Sequence, residues 1–179
     1  ITRGGRTFTL PADFQLIAAS NPCGCGRGPW DINCECSAAS INRYQKALQG
    51  EITGNFDINI GVGIPSAEDI AAEPGRSSAS VRDRVIAARE RMAHRYGSSK
   101  TNAMANPADV AEFALAPAAR EAINRDHQFQ AARNIHRLLK VARTLADLAE
   151  RSEIGEDDIG SAAGYTNGKE QFVSPAPFF

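Results

Sequence analysis

Four cysteines fall within fourteen residues, at Cys23, Cys25, Cys34 and Cys36, and none occurs elsewhere in the 179-residue chain. The pattern is C-x-C, eight residues, C-x-C. Such crowding does not suit a secreted disulfide framework. Neighbouring C-x-C positions point to opposite faces of an extended chain and bridge each other poorly. Two thiolate claws joined by a loop suit one tetrahedral ion, and Gly24, Gly26 and Gly28 allow the tight turns that a knuckle needs. All-thiolate sites select zinc or iron–sulfur. Zinc in a structural role is the expected occupant, since no His or carboxylate stands ready to leave a catalytic position open. Four reduced thiols or opportunistic disulfides are the alternatives.

This loop follows a short apolar run, Phe14 to Ala19, bounded by turn residues. The run reads as a central strand of a covered sheet, with Ser20 and Asn21 at its C-terminal end. Ligands of open α/β sheets bind just beyond such ends. By itself, though, an Asn before Pro22 is a turn former. Upstream, Ile1 to Leu10 reads as extended around a Gly4-Gly5 turn. Downstream, Ser37 or Ser40 caps a helix that runs to Gln49 with Ile41, Tyr44 and Leu48 on one face, and Gly50 stops it. Glu51 to Asn55 reads as a loop. Phe56 to Val62 alternates like a second strand, and Ser66 caps a short helix through Ala72.

Glu73-Pro74-Gly75 reads as a linker, with a domain boundary near 64–75. Beyond it the pattern turns helical. Ser77 to Tyr96 forms an Arg-rich helix with an apolar stripe of Val81, Val85, Ala88 and Met92. Further helices are expected at 107–114, 117–126, 129–151 and 156–164, and an irregular tail from Tyr165. In the third of these, Ile135, Leu138, Leu139, Ala142, Leu145, Ala146 and Leu148 make a broad apolar face.

The net charge of −1 hides an asymmetry. Arg76 to Arg151 carries 14 Lys and Arg against 8 Asp and Glu, and the flanks carry 6 against 13. A basic helical part can contact phosphates, or it can be a solvated surface. No apolar run approaches the ~20 residues of a membrane helix. No secretory-type leader is seen at Ile1, so a cytoplasmic location without membrane association is expected.

The chain resembles the magnesium chelatase-like AAA+ ATPases of the bacterial YifB/ComM family. The likeness rests on Pro11-Ala12-x-Phe14-x-Leu16-x-Ala18-Ala19-x-Asn21-Pro22-Cys23, the cysteine pairs, Arg43-Tyr44, and Phe56-Asp57. It continues through Ser77-Ser78-x-x-Val81-Arg82-x-Arg84-Val85 and His136-Arg137-x-Leu139-x-Val141-Ala142-Arg143. The resemblance implies an α/β fragment, the end of a P-loop AAA+ core with a four-cysteine, zinc-type loop (1–72). An all-α helical lid bundle (73–165) and a tail (166–179) follow. It implies that Asn21 is sensor 1, which orients the attacking water, and that Arg133 is sensor 2, reading phosphate from the lid. Arg137 and Arg143 lie on the same helix, and Arg137 joins Arg133 as a candidate nucleotide contact. It also implies ATP and Mg²⁺ in a longer parent, a homo-oligomeric ring read as a hexamer, and DNA as partner of an ATP-driven branch-migration translocase. No G-x-x-x-x-G-K-[ST] stretch occurs here. This segment alone is therefore expected neither to bind ATP tightly nor to hydrolyse it.

Two departures stand out. Asn55 occupies the position of the family's arginine finger, and Gly24 replaces the Pro expected between the first two cysteines. A neutral amide cannot supply a finger's charge. That keeps open a second reading, a zinc-stapled interaction module that no longer hydrolyses ATP. A third, a chelatase subunit for porphyrin metallation, is disfavoured by the cysteine pairs.

Overall fold

The computed structural model describes residues 1–11, 14–49, 55–62, 65–73, 75–125 and 131–166. The Gly50 stop, Thr53-Gly54, Pro74 and the tail beyond Thr166 lie outside the described residues. The chain divides into two compact units, Ile1–Gln45 and Lys46–Phe179. No helix among the described residues is long and apolar enough to cross a membrane.

The N-terminal unit opens with a hairpin. β1 (Thr2–Arg3) and β2 (Arg6–Thr7) pair antiparallel, Thr2 opposite Thr7 and Arg3 opposite Arg6. Gly4 and Gly5 have φ of 58° and 74°, the two left-handed residues that a tight hairpin turn requires. α1 (Ala38–Gln49) starts at Ser37, whose Oγ accepts from the Ser40 N–H at 3.2 Å. Ile41, Tyr44 and Leu48 share its half-buried face, as expected.

The two longer strands expected from sequence do not form. Phe14 to Ala19 has no ladder partner, and Phe14 (72%) and Ile17 (83%) stand exposed. Phe56 to Val62 is likewise irregular, with Ile58, Ile60 and Val62 exposed. A β-ladder forms only where a neighbouring strand takes up the backbone N–H and C=O groups. Among the described residues the hairpin is the only sheet. The second stretch is held instead by the Asn59 N–H donating to the Tyr165 carbonyl at 2.8 Å. The described chain is thus mostly helical with a small two-stranded sheet.

In the C-terminal unit, local chemistry sets the helix ends. α2 (Ala67–Ala71) begins in a reciprocal capping box between Ser66 and Asp69. α3 (Ser78–Tyr96) is capped by Ser77 and closed by Gly97 at φ 62°. α4 (Pro107–Ala111) has Pro at its first position and a second box, Asn106 with Asp109. α5 (Pro117–Arg125), α6 (Ala132–Leu148) and α7 (Glu156–Thr166) follow. Tyr165 and Thr166 therefore belong to a helix rather than to an irregular tail.

α6 is the centre of this unit, touching α3, α4 and α7, while α5 packs on α7. Its apolar face meets Val110, Phe113, Ile154, Ile159 and Ala162 in one core around Leu138, Leu139 and Ala142. Each fully enclosed leucine or isoleucine contributes on the order of 2 kcal/mol. A parallel bridge between Leu115 and Ile154 ties the two loops flanking this core. Along α3 only Ala88 and Met92 are buried, while Val81 (44%) and Val85 (40%) stay exposed. The expected stripe is real, but only its C-terminal half has a partner.

The same core holds a polar knot. Asp147 is wholly enclosed and accepts from Nη1 and Nη2 of Arg95. Arg143 lies 3.1 Å from the same carboxylate, and Asn102 Nδ2 donates to it at 2.9 Å. Arg143 also donates to the carbonyls of Arg151 and Ser152. Burial pulls the Arg143 guanidinium below its ordinary pKa, and Asp147 opposes that. Arg143 is therefore a structural residue.

Candidate functional site

The cysteine loop folds as a knuckle. The Gly26 N–H donates to the Cys23 carbonyl at 3.1 Å, and the Gly28 N–H donates to Cys23 Sγ at 3.3 Å. Asp31 then turns the chain back. Its carbonyl accepts from the Cys34 N–H at 2.9 Å, and its Oδ1 from the Asn33 N–H at 2.8 Å. Gly28 sits at φ 92°, a conformation that L side chains rarely adopt, with the Trp30 ring beside its bare face.

These turns gather all four Sγ atoms within 4.8 Å of one another. Cys23–Cys25, Cys23–Cys34 and Cys25–Cys34 are separated by 3.3, 3.8 and 3.7 Å. A tetrahedron with metal–sulfur bonds of ~2.3 Å has edges of ~3.8 Å. The donor set and its spacing fit a metal ion.

The thiols do not behave alike. Burial pushes the Cys23 thiol up, but the Gly28 N–H and the Cys25 and Cys34 thiols overcome this and lower it to about 6. Cys25 is lowered, chiefly by the backbone of Arg27. The backbone at Cys36 pulls Cys34 down, yet burial and the neighbouring sulfurs prevail and raise it to about 11. Cys36 is raised in the same contest. Asn21 is exposed, two residues before Cys23.

The second cluster lies in the C-terminal unit. Arg133, His136, Arg137 and Lys140 follow at i, i+3, i+4 and i+7 along α6, so they share one face. With Asn55 and Asp57 they line an open hollow of about 430 Å³. Arg133 Nη2 donates to Asn55 Oδ1 at 2.6 Å, and Arg137 Nη1 to the Phe56 carbonyl at 3.2 Å. Lys140 reaches the Ala103 carbonyl at 3.0 Å. Ala131 gives the start of α6 no side-chain cap, so its first N–H groups add partial positive charge. Two arginines and a lysine against the Asp57 carboxylate make the hollow suited to an anion.

The structure thus brings Arg133 and Arg137 together, and it places Asn21 with the cysteines in the other unit. Arg143 does not join the hollow. Sequence reasoning assigns no role to His136 or Lys140. Their spacing from Arg133 is the available signal.

Residues 75–166 match the family model described as "Magnesium chelatase, subunit ChlI C-terminal", and residues 1–70 match "Magnesium chelatase, subunit ChlI". Over 163 residues, 87% of this chain and 32% of the relative, the chain is 36% identical to an uncharacterised protein of Mycobacterium tuberculosis. It is 32% identical to YifB of Escherichia coli over 92% of this chain and 33% of the relative. Identity to the competence protein ComM of Haemophilus influenzae is also 32%, with the same coverage. The chain spans about a third of the length of these curated relatives. Two family models laid end to end, with relatives of one type along most of the sequence, settle its kinship: the chain belongs to the magnesium chelatase-like YifB/ComM family.

Proposed function

We propose that this chain is the nucleotide-reading part of an AAA+ ATPase, the end of the core followed by the helical lid. The observation that carries the reading is the row Arg133, His136, Arg137 and Lys140 facing one hollow on α6. Arg133 is the sensor 2 residue and Arg137 its neighbour on the phosphates. A planar guanidinium bridges phosphate oxygens and ties lid position to nucleotide state. Asn21 is sensor 1. The ATP cradle and the Mg²⁺ ligands belong to other parts of the parent protein. The four cysteines hold a structural zinc ion. The parent is a cytoplasmic ring, read as a hexamer, that drives branch migration of DNA. The basic character of 76–151 supports that choice of partner.

The test is Arg133→Ala in the full-length parent. Nucleotide-dependent ring assembly and ATP hydrolysis should both fall. If both are unchanged, the sensor assignment is wrong.

Asn55 favours a second reading. It holds Arg133 where the family has an arginine finger. A lid with its sensor engaged by an amide, and with no finger, fits an interaction module that binds nucleotide without turnover. Measurable ATP hydrolysis by the parent would remove this reading.

A further inference from the structure

We propose that the cysteine knuckle is a positioning device for Asn21: a thiophilic divalent cation held by Cys23, Cys25, Cys34 and Cys36 fixes where the Asn21 carboxamide points. The proposal rests on the metal and sensor readings above and gives them a connection that neither contains.

The covalent link is short. Only Pro22 separates Asn21 from Cys23, and its ring removes one soft dihedral from that link. Cys23 is the most enclosed cysteine and is anchored twice, through its Sγ to the Gly28 N–H and through its carbonyl to the Gly26 N–H. Fixing Cys23 therefore restricts the backbone at Asn21.

There is also proximity through space. The Asn21 carboxamide lies beside the bare face of Gly26, where a Cβ would fall 3.5 Å from Asn21 Nδ2 and 3.8 Å from its Cγ. Gly26 sits at φ 86°, a conformation that glycine alone adopts readily, in the turn closed on the Cys23 carbonyl. Asn21 is thus tied to Cys23 along the chain and lies beside the residue after Cys25.

The sulfur geometry supplies the coupling. All four Sγ atoms lie within 4.8 Å of one another, so one ion bonded to all four cross-links the first cysteine pair to the second and closes the loop between them. Removal of the ion takes away that cross-link from the turn beside the Asn21 amide. Asn21 is exposed, so little else holds its side chain.

The experiment follows the Asn21 side chain by NMR in the isotopically labelled, reduced 179-residue chain. Zinc is added to one equivalent and then withdrawn with a chelator. Loading should bring the Asn21 χ1 couplings to a single rotamer and produce a nuclear Overhauser contact between its amide protons and Gly26 Hα. The chelator should abolish both. The side chain of Asn106, in the other unit, should not respond. If zinc binds, the cysteine resonances move, and Asn21 χ1 is averaged equally in both states, the positioning proposal fails while the metal site stands. If no zinc binds, both fall.

Discussion

Arg133 Nη2 and Asn55 Oδ1 are hydrogen-bonded at 2.6 Å, joining the proposed phosphate sensor to the residue that the sequence reading places at the family's finger position. An arginine at position 55 would instead face another guanidinium. Asn55→Arg should lower the stability of the 179-residue chain by no more than about 1 kcal/mol, because the contact is exposed. In the full-length parent the same change should raise ATP turnover, since fingers are worth about 10³–10⁵ where measured. Denaturant titration and steady-state ATPase assays check the two parts. An unchanged rate would mean that another residue serves as finger, or that none is used.

Asp147→Ala leaves Arg143 and Arg95 facing an empty site in the core of the C-terminal unit. Removing one partner of a buried pair costs about 3–5 kcal/mol. The loss should appear in equilibrium urea unfolding of the C-terminal unit. Glu150→Ala removes a solvent-exposed partner of Arg91 and should cost less than about 1 kcal/mol.

Lys100, with help from the Asn106 N–H, holds the Asp109 carboxyl below the usual aspartate value. A depressed folded-state pKa means stability that is present above the unfolded value, about 3.9. That stability is lost as pH falls through the folded value. Asp109→Asn should therefore lower Tm at neutral pH, and the gap should close in acid below about pH 3.9. Calorimetry across that range checks the sign. A gap that widens in acid would contradict it.

Reduced protein should carry about one zinc ion per chain, measured by elemental analysis. Cys34→Ser should lower metal content and Tm together. A variant that keeps both values would show that Cys34 is not a ligand.

Local signals are legible where the deciding chemistry is local. Ser66 caps its helix as expected, because it satisfies the Asp69 N–H three residues on. Ser77 and Asn106 cap in the same way, although the sequence reading puts Ser77 inside its helix and Asn106 in a connection. The cysteine cluster is equally legible, because short turns alone bring its sulfurs together. Phe14 to Ala19 and Phe56 to Val62 mislead because apolar alternation records what a segment would bury, and no ladder partner exists among the described residues. Val81 and Val85 belong to the same class. Arg143 misleads for the opposite reason. It lies on the apolar stripe four residues after Leu139, with Asp147 four further on, and that pairing marks a buried charge. The hollow is only half legible, because Asn55 reaches it from 78 residues before Arg133 and leaves no periodic trace.

The placement of Trp30 has a practical outcome. It is the sole tryptophan of the chain, and its indole lies against Gly28, the residue bonded to Cys23 Sγ. Its fluorescence is therefore a built-in gauge of the knuckle. Loading, oxidation or chelation of the thiols can be followed optically without any label, even while the helices far along the chain stay silent.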